Sequence, residues 1–132
     1  MSTLSQFLVQ NPVENLTAQV VVSNRLAEFP FTVKAMTNPE FSEYQKLSTT
    51  ANRHGKVDFN ARRFNELVVI NQTLEPNFKD AELLKQAGCT TPEQFLNKSL
   101  LAGEVAELAQ QISILSGFDR DMGEVVEEAK NS

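Results

Sequence analysis

The sequence reads as a mostly α (α+β) protein: an N-terminal antiparallel β-hairpin followed by a compact bundle of about four to five helices. Three features carry that reading. Apolar side chains in "FPFTVKA" recur every second residue, the rhythm of a half-buried strand. From Asn38 onward the apolar spacing becomes helical. Residues 100–118, "LLAGEVAELAQQISILSGF", then hold the most regular helical stripe in the chain. At 132 residues the chain suits one domain. It divides into an N-terminal segment (1–16), a hairpin (17–36), a helical core (38–118) and an acidic tail (119–132).

Leu4, Phe7 and Leu8 sit at helical spacing, and Pro12 ends that helix by Asn11 because the residue before proline avoids helical backbone. "AQVVVS" (18–23) is rich in β-branched residues and suits a strand. Its partner is the run in which Phe29, Phe31, Val33 and Ala35 alternate with Pro30, Thr32 and Lys34. "NRLAEF" between them supplies the loop. Pro30 has no N–H to give a ladder, which puts its strand at a sheet edge at that point. Asn38 then caps a helix, with Pro39 at the first helical position and Glu40 facing the positive end of the dipole. Phe41, Tyr44, Leu47 and Ala51 share one face of it. Arg53 and His54 occupy its last turn, and Gly55 is its left-handed stop.

A second helix covers "NARRFNELVVINQT", where Phe64, Leu67, Val68, Val69 and Ile70 form a belt broad enough for the centre of a domain. Glu75-Pro76 breaks it. A third helix runs through "FKDAELLKQAG", with Leu83, Leu84 and Ala87 inward and Gly88 as its stop. "TPEQ" at 91–94 fits the capping box, with Thr91 bonding forward and Gln94 reaching back. In the final helix Leu101, Val105, Leu108, Ile112 and Leu115 make one stripe. Ala102, Ala106 and Ala109 lie beside it, and Glu104, Glu107, Gln110 and Gln111 lie on the other side. Burying those five aliphatic side chains, at about 1.5–3 kcal/mol each, stabilises the fold by roughly 7–15 kcal/mol. Gly117 stops the helix and Phe118 packs back beyond it. "DRDMGEVVEEAKNS" (119–132) is acidic and weakly amphipathic through Val125, Val126 and Ala129, either a loosely docked helix or a disordered tail.

A net charge of −5 argues against nucleic acid, which needs a concentrated basic face. The densest basic cluster, Arg62-Arg63, is flanked by Asp58 and Glu66. The N-terminus lacks the basic and apolar regions of a signal peptide, and no apolar run is long enough to span a membrane. The single cysteine, Cys89, permits no internal disulfide and suits a reducing compartment. Together these point to the cytoplasm, where the sequons at Asn15, Asn71 and Asn97 are chance tripeptides.

Catalytic signals are weak. His54, the only histidine, reads as a residue matched to a helix C-terminus. Cys89 follows the Gly88 stop and has no neighbouring base, and one Cys with one His is too few ligands for zinc. "DRDMGE" at 119–124 fails the calcium-loop template, which wants Gly sixth and Glu twelfth where this chain has Glu124 and Lys130. Glu127-Glu128 diverge on any helix. There is no phosphate loop, nucleophile elbow or HExxH. No catalytic residue, cofactor site or metal site is expected, and the chain reads as a non-enzymatic interaction protein.

Three pieces in fixed order, "VVVSNRL" (20–26), "KAMTNPEFSEYQK" (34–46) and the run from Phe64 to Phe118, carry a resemblance. Its most telling parts are Leu74–Phe78, G-x-T-T-P-E at 88–93 and the "LLAGEVAELAQQI…LSGF" helix. From about Leu4 to Lys130 the chain resembles the XkdN-like phage tail assembly chaperones of phages and prophages of Gram-positive bacteria. The resemblance implies a protein of the host cytoplasm that is absent from the mature virion. It implies binding to the tape measure protein, which is kept soluble and extended, and recruitment of the major tail tube protein for polymerisation around it. Many copies along one partner favour weak homo-oligomers. A frameshift-extended form is also implied. Lys130-Asn131, if encoded AAA AAC after an A, is a slippery heptamer, and a DNA sequence without one near the stop codon removes the idea. The alternative class is a structural minor tail or connector protein retained in the virion.

Periodicity does not separate an inward helix face from a partner-facing one. The expectation is a split stripe: Leu101, Val105 and Leu108 core against Phe64, Leu67 and Val68, with Ile112, Leu115 and Phe118 forming the partner-binding groove.

Overall fold

The computed structural model describes residues 2–118. The expectations of an acidic tail and of a frameshift site at Lys130-Asn131 fall outside the described residues. The architecture is α+β, with antiparallel strands near the N-terminus and helices dominating the rest, as the sequence predicts. In order, the elements are α1 (Thr3–Gln10), β1 (Thr17–Val20), β2 (Phe31–Lys34), α2 (Asn38–Leu47), β3 (Thr49–Ala51), β4 (Val57–Phe59), α3 (Ala61–Gln72), β5 (Thr73–Glu75), α4 (Ala81–Gln86), α5 (Pro92–Ser99) and α6 (Ala102–Leu115).

β1 and β2 pair antiparallel in the expected hairpin, from Thr17 opposite Lys34 to Val20 opposite Phe31. Phe31 and Val33 point into the core, while Thr32 and Lys34 are half-buried, so the period of two holds. The edge assignment drawn from Pro30 does not. The sheet order is β1-β2-β5, so β2 is the middle strand. Pro30 stands one residue ahead of the ladder, where its missing N–H is not needed. The third strand, β5, continues directly from α3, and the Glu75–Pro76 peptide that ends it is cis.

The helix from Asn38 differs at both ends. Its cap is Thr37, whose Oγ1 accepts from the Glu40 N–H at 3.3 Å while Glu40 Oε1 accepts from the Thr37 N–H at 2.9 Å. This is the reciprocal capping box, and its T-x-x-E signature is visible in the sequence. The helix stops at Leu47 instead of running to His54. Thr49 Oγ1 donates to the Gln45 carbonyl at 2.7 Å, satisfying a terminal acceptor of the last turn. Residues 49–59 then form a second hairpin. The Gly55 N–H donates to the Asn52 carbonyl at 3.0 Å, and Asn52 Oδ1 accepts from the His54 and Lys56 N–H groups. Gly55 does adopt positive φ (78°), but it closes a β-turn, not a helix. His54 therefore lies at a hairpin tip, and Leu47 and Ala51 are exposed.

The later stops behave as expected. At Gly88 and Gly117 the chain turns left-handed, and the next residue's N–H reaches back to the helix: Cys89 to the Leu84 carbonyl at 2.8 Å, Phe118 to the Ser113 carbonyl at 2.9 Å. At α5, Thr91 Oγ1 accepts from the Gln94 N–H at 3.2 Å. Gln94 reaches one residue further back than predicted, taking both the Thr90 N–H (2.8 Å) and the Thr90 hydroxyl (2.9 Å).

The core lies where α3 packs across α6, with α6 covering β1 and β2 and with α2 and α5 flanking α3. Val33, Val68, Val69, Leu96, Leu108 and Ile112 are fully enclosed there. One polar knot sits among them. The Tyr44 hydroxyl donates to Gln72 Oε1 at 2.5 Å, and Gln72 Nε2 donates to the Ala35 carbonyl at 3.0 Å, joining α2, α3 and the end of β2. Burial, helped by the Glu40 carboxylate, pushes the Tyr44 phenol up to about 12. Such a knot fixes the relative placement of three elements, because an unpaired amide here would lose its hydration with nothing in return.

Two assignments in the last helix are corrected. Leu101, expected in the core, is 63% exposed: the helix begins at Ala102, so the stripe's phase does not extend back to Leu101. Glu104, expected on the polar side, is only 2% exposed. Its carboxylate accepts from Ser23 Oγ (2.6 Å), Arg25 Nε (3.0 Å), Arg25 Nη2 (2.7 Å) and the Leu101 N–H (2.8 Å). Arg25 Nη2 also donates to the Ser99 carbonyl at 2.9 Å. The β1–β2 connection is thereby fastened to the start of α6. These donors stabilise the ionised form, led by Arg25, and hold the Glu104 carboxyl at about 2, against an ordinary 4.5.

Candidate partner-binding surface

Four phenylalanines, three from separate elements and one from just beyond α6, form a continuous row. Phe118, just beyond α6, packs on Phe41 of α2 with ring centroids 5.0 Å apart. Phe41 meets Phe64 of α3 edge-on at 5.8 Å, and Phe64 meets Phe59 of β4 at 5.6 Å. The edge-to-face Phe41–Phe64 contact suits the ring quadrupoles, and the other two pairs are tilted, at 38° and 55°. The inner pair is half-buried, whereas Phe118 and Phe59 are 38% and 52% exposed. The end of α6 is held in place by Ser116, whose hydroxyl accepts from the Met36 N–H at 2.8 Å and donates to the Ile112 carbonyl at 2.6 Å. Phe118 is therefore positioned by backbone and not by its own packing alone.

The expected trio of Ile112, Leu115 and Phe118 does not share one accessible face. Ile112 has no exposed surface and belongs to the enclosed core, which corrects its placement in a partner groove. Helix geometry gives the reason: Leu108 and Ile112 share the α6 face that packs on α3 and the sheet. Leu115 is half-buried at the rim of the core, and Phe118 lies outside. Phe59 was not signalled by the sequence, since a three-residue strand gives too few repeats to show a period. The spacing of Phe41 and Phe64 marks each as inward on its own helix, but no local signal says they meet.

A second bare apolar surface is α1. Ser2 caps it, accepting from the Ser5 N–H at 3.0 Å, and the helix ends at Gln10 before Pro12, as predicted. None of its residues is buried, and Leu4, Phe7, Leu8 and Val9 are all more than half exposed. On a third side, a groove of about 370 Å³ runs between α3, α5 and α6, floored by Leu100, Val105 and Ala106 and edged by Arg62 and Asn97. Of the three alanines expected to admit a neighbouring helix, Ala109 does so inside the core, and Ala102 and Ala106 line this groove.

His54 and Cys89 are not brought into one site: His54 is at the β3–β4 turn, and half-buried Cys89 lies between α4 and α5, its thiol facing the Ala87 carbonyl at 3.7 Å. Among the described residues no three His, Cys, Asp or Glu side chains gather as a metal ion would require. Among the same residues no helix is long and apolar enough to cross a membrane.

A family model for the phage XkdN-like tail assembly chaperone protein matches residues 4–130. The chain belongs to that family. Two proteins of Bacillus subtilis strain 168 align with nearly all of the chaperone. YqbN is 29% identical over 97% of this chain and 93% of its own length. XkdN of the phage-like element PBSX is 28% identical over the same shares. A crystal structure of YqbN superposes with a TM-score of 0.68 at 24% identity, covering 89% of this chain and 98% of that one, a likeness that concerns the fold. Membership places the chain among proteins of phage tail assembly.

Proposed function

We propose that this chaperone binds apolar segments of a tape measure protein, keeps them soluble and extended, and promotes polymerisation of the tail tube protein around them. It acts by covering surface, and no covalent bond is made or broken. It works in the cytoplasm of the bacterial host and is left out of the finished virion. The observation that supports this most directly is the row Phe118–Phe41–Phe64–Phe59, a rigid aromatic strip exposed at both ends. Large exposed apolar patches mark interaction sites, and an amphipathic helix laid on such a strip is a recurring mode of recognition. Leu115, at the rim of the core, and Phe118, at one end of the strip, carry the partner contact. Copies arrayed along one partner associate weakly with each other through the bare face of α1 (Leu4, Phe7, Leu8).

The test is co-expression with tape measure fragments. The native chain brings a fragment into the soluble fraction and co-purifies with it. Phe118→Asp and Phe59→Asp lose co-purification while keeping their circular-dichroism melts. Full binding by both variants overturns the surface assignment. Abundant copies in purified virions overturn the chaperone reading in favour of a structural tail protein.

A further inference from the structure

Charge is spread unevenly along the chain. Between Tyr44 and Arg63 stand five cations, Lys46, Arg53, Lys56, Arg62 and Arg63, against one carboxylate, Asp58, in a chain of net charge −5. That stretch is the end of α2, the β3–β4 hairpin and the start of α3. Arg62 and Arg63 are already paired, with Glu66 at 3.7 Å and Glu93 at 3.5 Å. Lys46, Arg53 and Lys56 are exposed, and none of the three is in an ion pair with a described residue.

Two of these free cations belong to the Phe59 end of the aromatic row. Lys46 shares a shallow groove with Phe59, Gln45 and Thr49 at the base of the hairpin. Thr49 stands opposite Phe59 and Ala51 opposite Val57, which puts those four side chains on one face, away from Thr50 and Asp58. Val57 and Phe59 are 65% and 52% exposed on that face, and Arg53 lies in the turn beyond them. Lys56 lines the opposite face with Asp58. The row itself has a helical metric. Its rings follow one another at 5.0, 5.8 and 5.6 Å, close to the α-helical pitch of about 5.4 Å. An apolar stripe at i, i+4 and i+7 keeps step with such a row. Phosphates of a nucleic acid are also drawn to cations, but they need an unbroken basic track, and here Val57 and Phe59 interrupt it.

We propose that the strip takes an acidic amphipathic helix of the partner protein, its apolar stripe on the phenylalanines and its carboxylates at the hairpin end, facing Lys46 and Arg53. This rests on the reading of the strip as the partner-binding surface, and adds the charge and the polarity of what binds there. The apolar contact supplies most of the affinity, while complementary charge at the rim sets register and selects the partner. The strip thus discriminates among apolar helices, favouring those with acidic residues at one end.

The experiment uses the full chain and synthetic amphipathic peptides of about four helical turns. The peptides share one leucine stripe and carry glutamates, glutamines or lysines beside its last two turns. Fluorescence anisotropy gives the dissociation constants, and amide shifts in the chain locate the peptide. The glutamate peptide is expected to bind about tenfold more tightly than the glutamine peptide, shifting amides of the β3–β4 hairpin. The variant Lys46→Glu/Arg53→Glu is expected to reverse the order in favour of the lysine peptide. Equal affinity for the glutamate and glutamine peptides overturns the proposal; loss of both in Phe118→Asp and Phe59→Asp then leaves the strip itself standing as the partner surface. No binding of the glutamate peptide also overturns it, and the strip reading survives if tape measure fragments still co-purify. A glutamate preference undiminished by the charge reversal overturns it as well. Tighter binding of a single-stranded oligonucleotide to the same amides overturns it in favour of nucleic acid. Self-association of the native chain that the charge reversal abolishes overturns it by assigning the face to a second copy.

Discussion

Replacing Glu104 with Gln tests the fastening between the β1–β2 connection and α6. The substitution keeps the side chain's size and removes its charge. An amide nitrogen then faces donors that the carboxylate satisfied: Ser23 Oγ, two Arg25 nitrogens and the Leu101 N–H. Breaking a buried ion pair from one side costs about 3–5 kcal/mol when the remaining charge stays buried. Here the Arg25 side chain is 50% exposed, so its guanidinium is rehydrated and the cost falls below that range. Hydrogen bonds to a charged group contribute about 1.5–3 kcal/mol. A loss of about 2–3 kcal/mol at neutral pH follows from the two bounds. At about 4 °C per kcal/mol for a domain of this size, Tm falls by roughly 8–12 °C. The pH dependence gives a sharper check. The Glu104 carboxyl is lowered from 4.5 to about 2 in the folded chain, so its stabilisation is complete above pH 4.5 and is lost as the pH falls toward 2. The gap in melting temperature between the native chain and Glu104→Gln, followed by circular dichroism, therefore narrows over that window. A gap that is absent at pH 7, or constant from pH 6 to the acid limit of folding, refutes the account.

The two ends of the α6 stripe should respond oppositely to charge. Ile112→Asp places an unpaired carboxylate in the enclosed core and should cost more than about 4 kcal/mol, read as loss of the cooperative melt. Leu101→Asp, on an exposed side chain at the N-cap of α6, should keep the cooperative melt, because a carboxylate there stays hydrated and faces the free N–H groups of the first turn. Glycines separate by backbone conformation. A Cβ on Gly103 or on Gly117 meets nothing within 4 Å, but Gly117 has φ of 100°. Gly103→Ala should therefore raise stability by about 0.5–1 kcal/mol, and Gly117→Ala should lower it by about 1 kcal/mol, in denaturant titrations.

Much of the secondary structure was legible because its signals are local. The Gly88 and Gly117 stops, the Thr91 cap, the limit set by Pro12 and the alternation from Phe31 to Lys34 each depend on groups within a few residues of one another. The same locality explains the misreadings. A glycine after Arg-His signals a left-handed residue, and that conformation ends helices and closes hairpin turns alike. In this fold Gly55 closes the β3–β4 turn. Thr37-x-x-Glu40 was readable as a capping box but was overshadowed by Asn38 and Pro39. Of the partner-facing residues expected from the last helix, the fold leaves Phe118 outside and Leu115 at the rim, and turns Ile112 inward.

The sequence alone determined the elements that arise from short-range hydrogen bonding and apolar period: the N-terminal hairpin, the central helix from Ala61 and the long amphipathic helix ending at Gly117. Tertiary structure decided whatever depends on residues distant in the chain. Arg25 and Glu104 are 79 positions apart, yet their pairing turns a surface glutamate into a buried one. β5 makes β2 a middle strand, and four phenylalanines from distant parts of the chain become one surface. The physical reason is that a periodic apolar face must be buried, but nothing in its period says against what. That choice belongs to the packing of the whole chain.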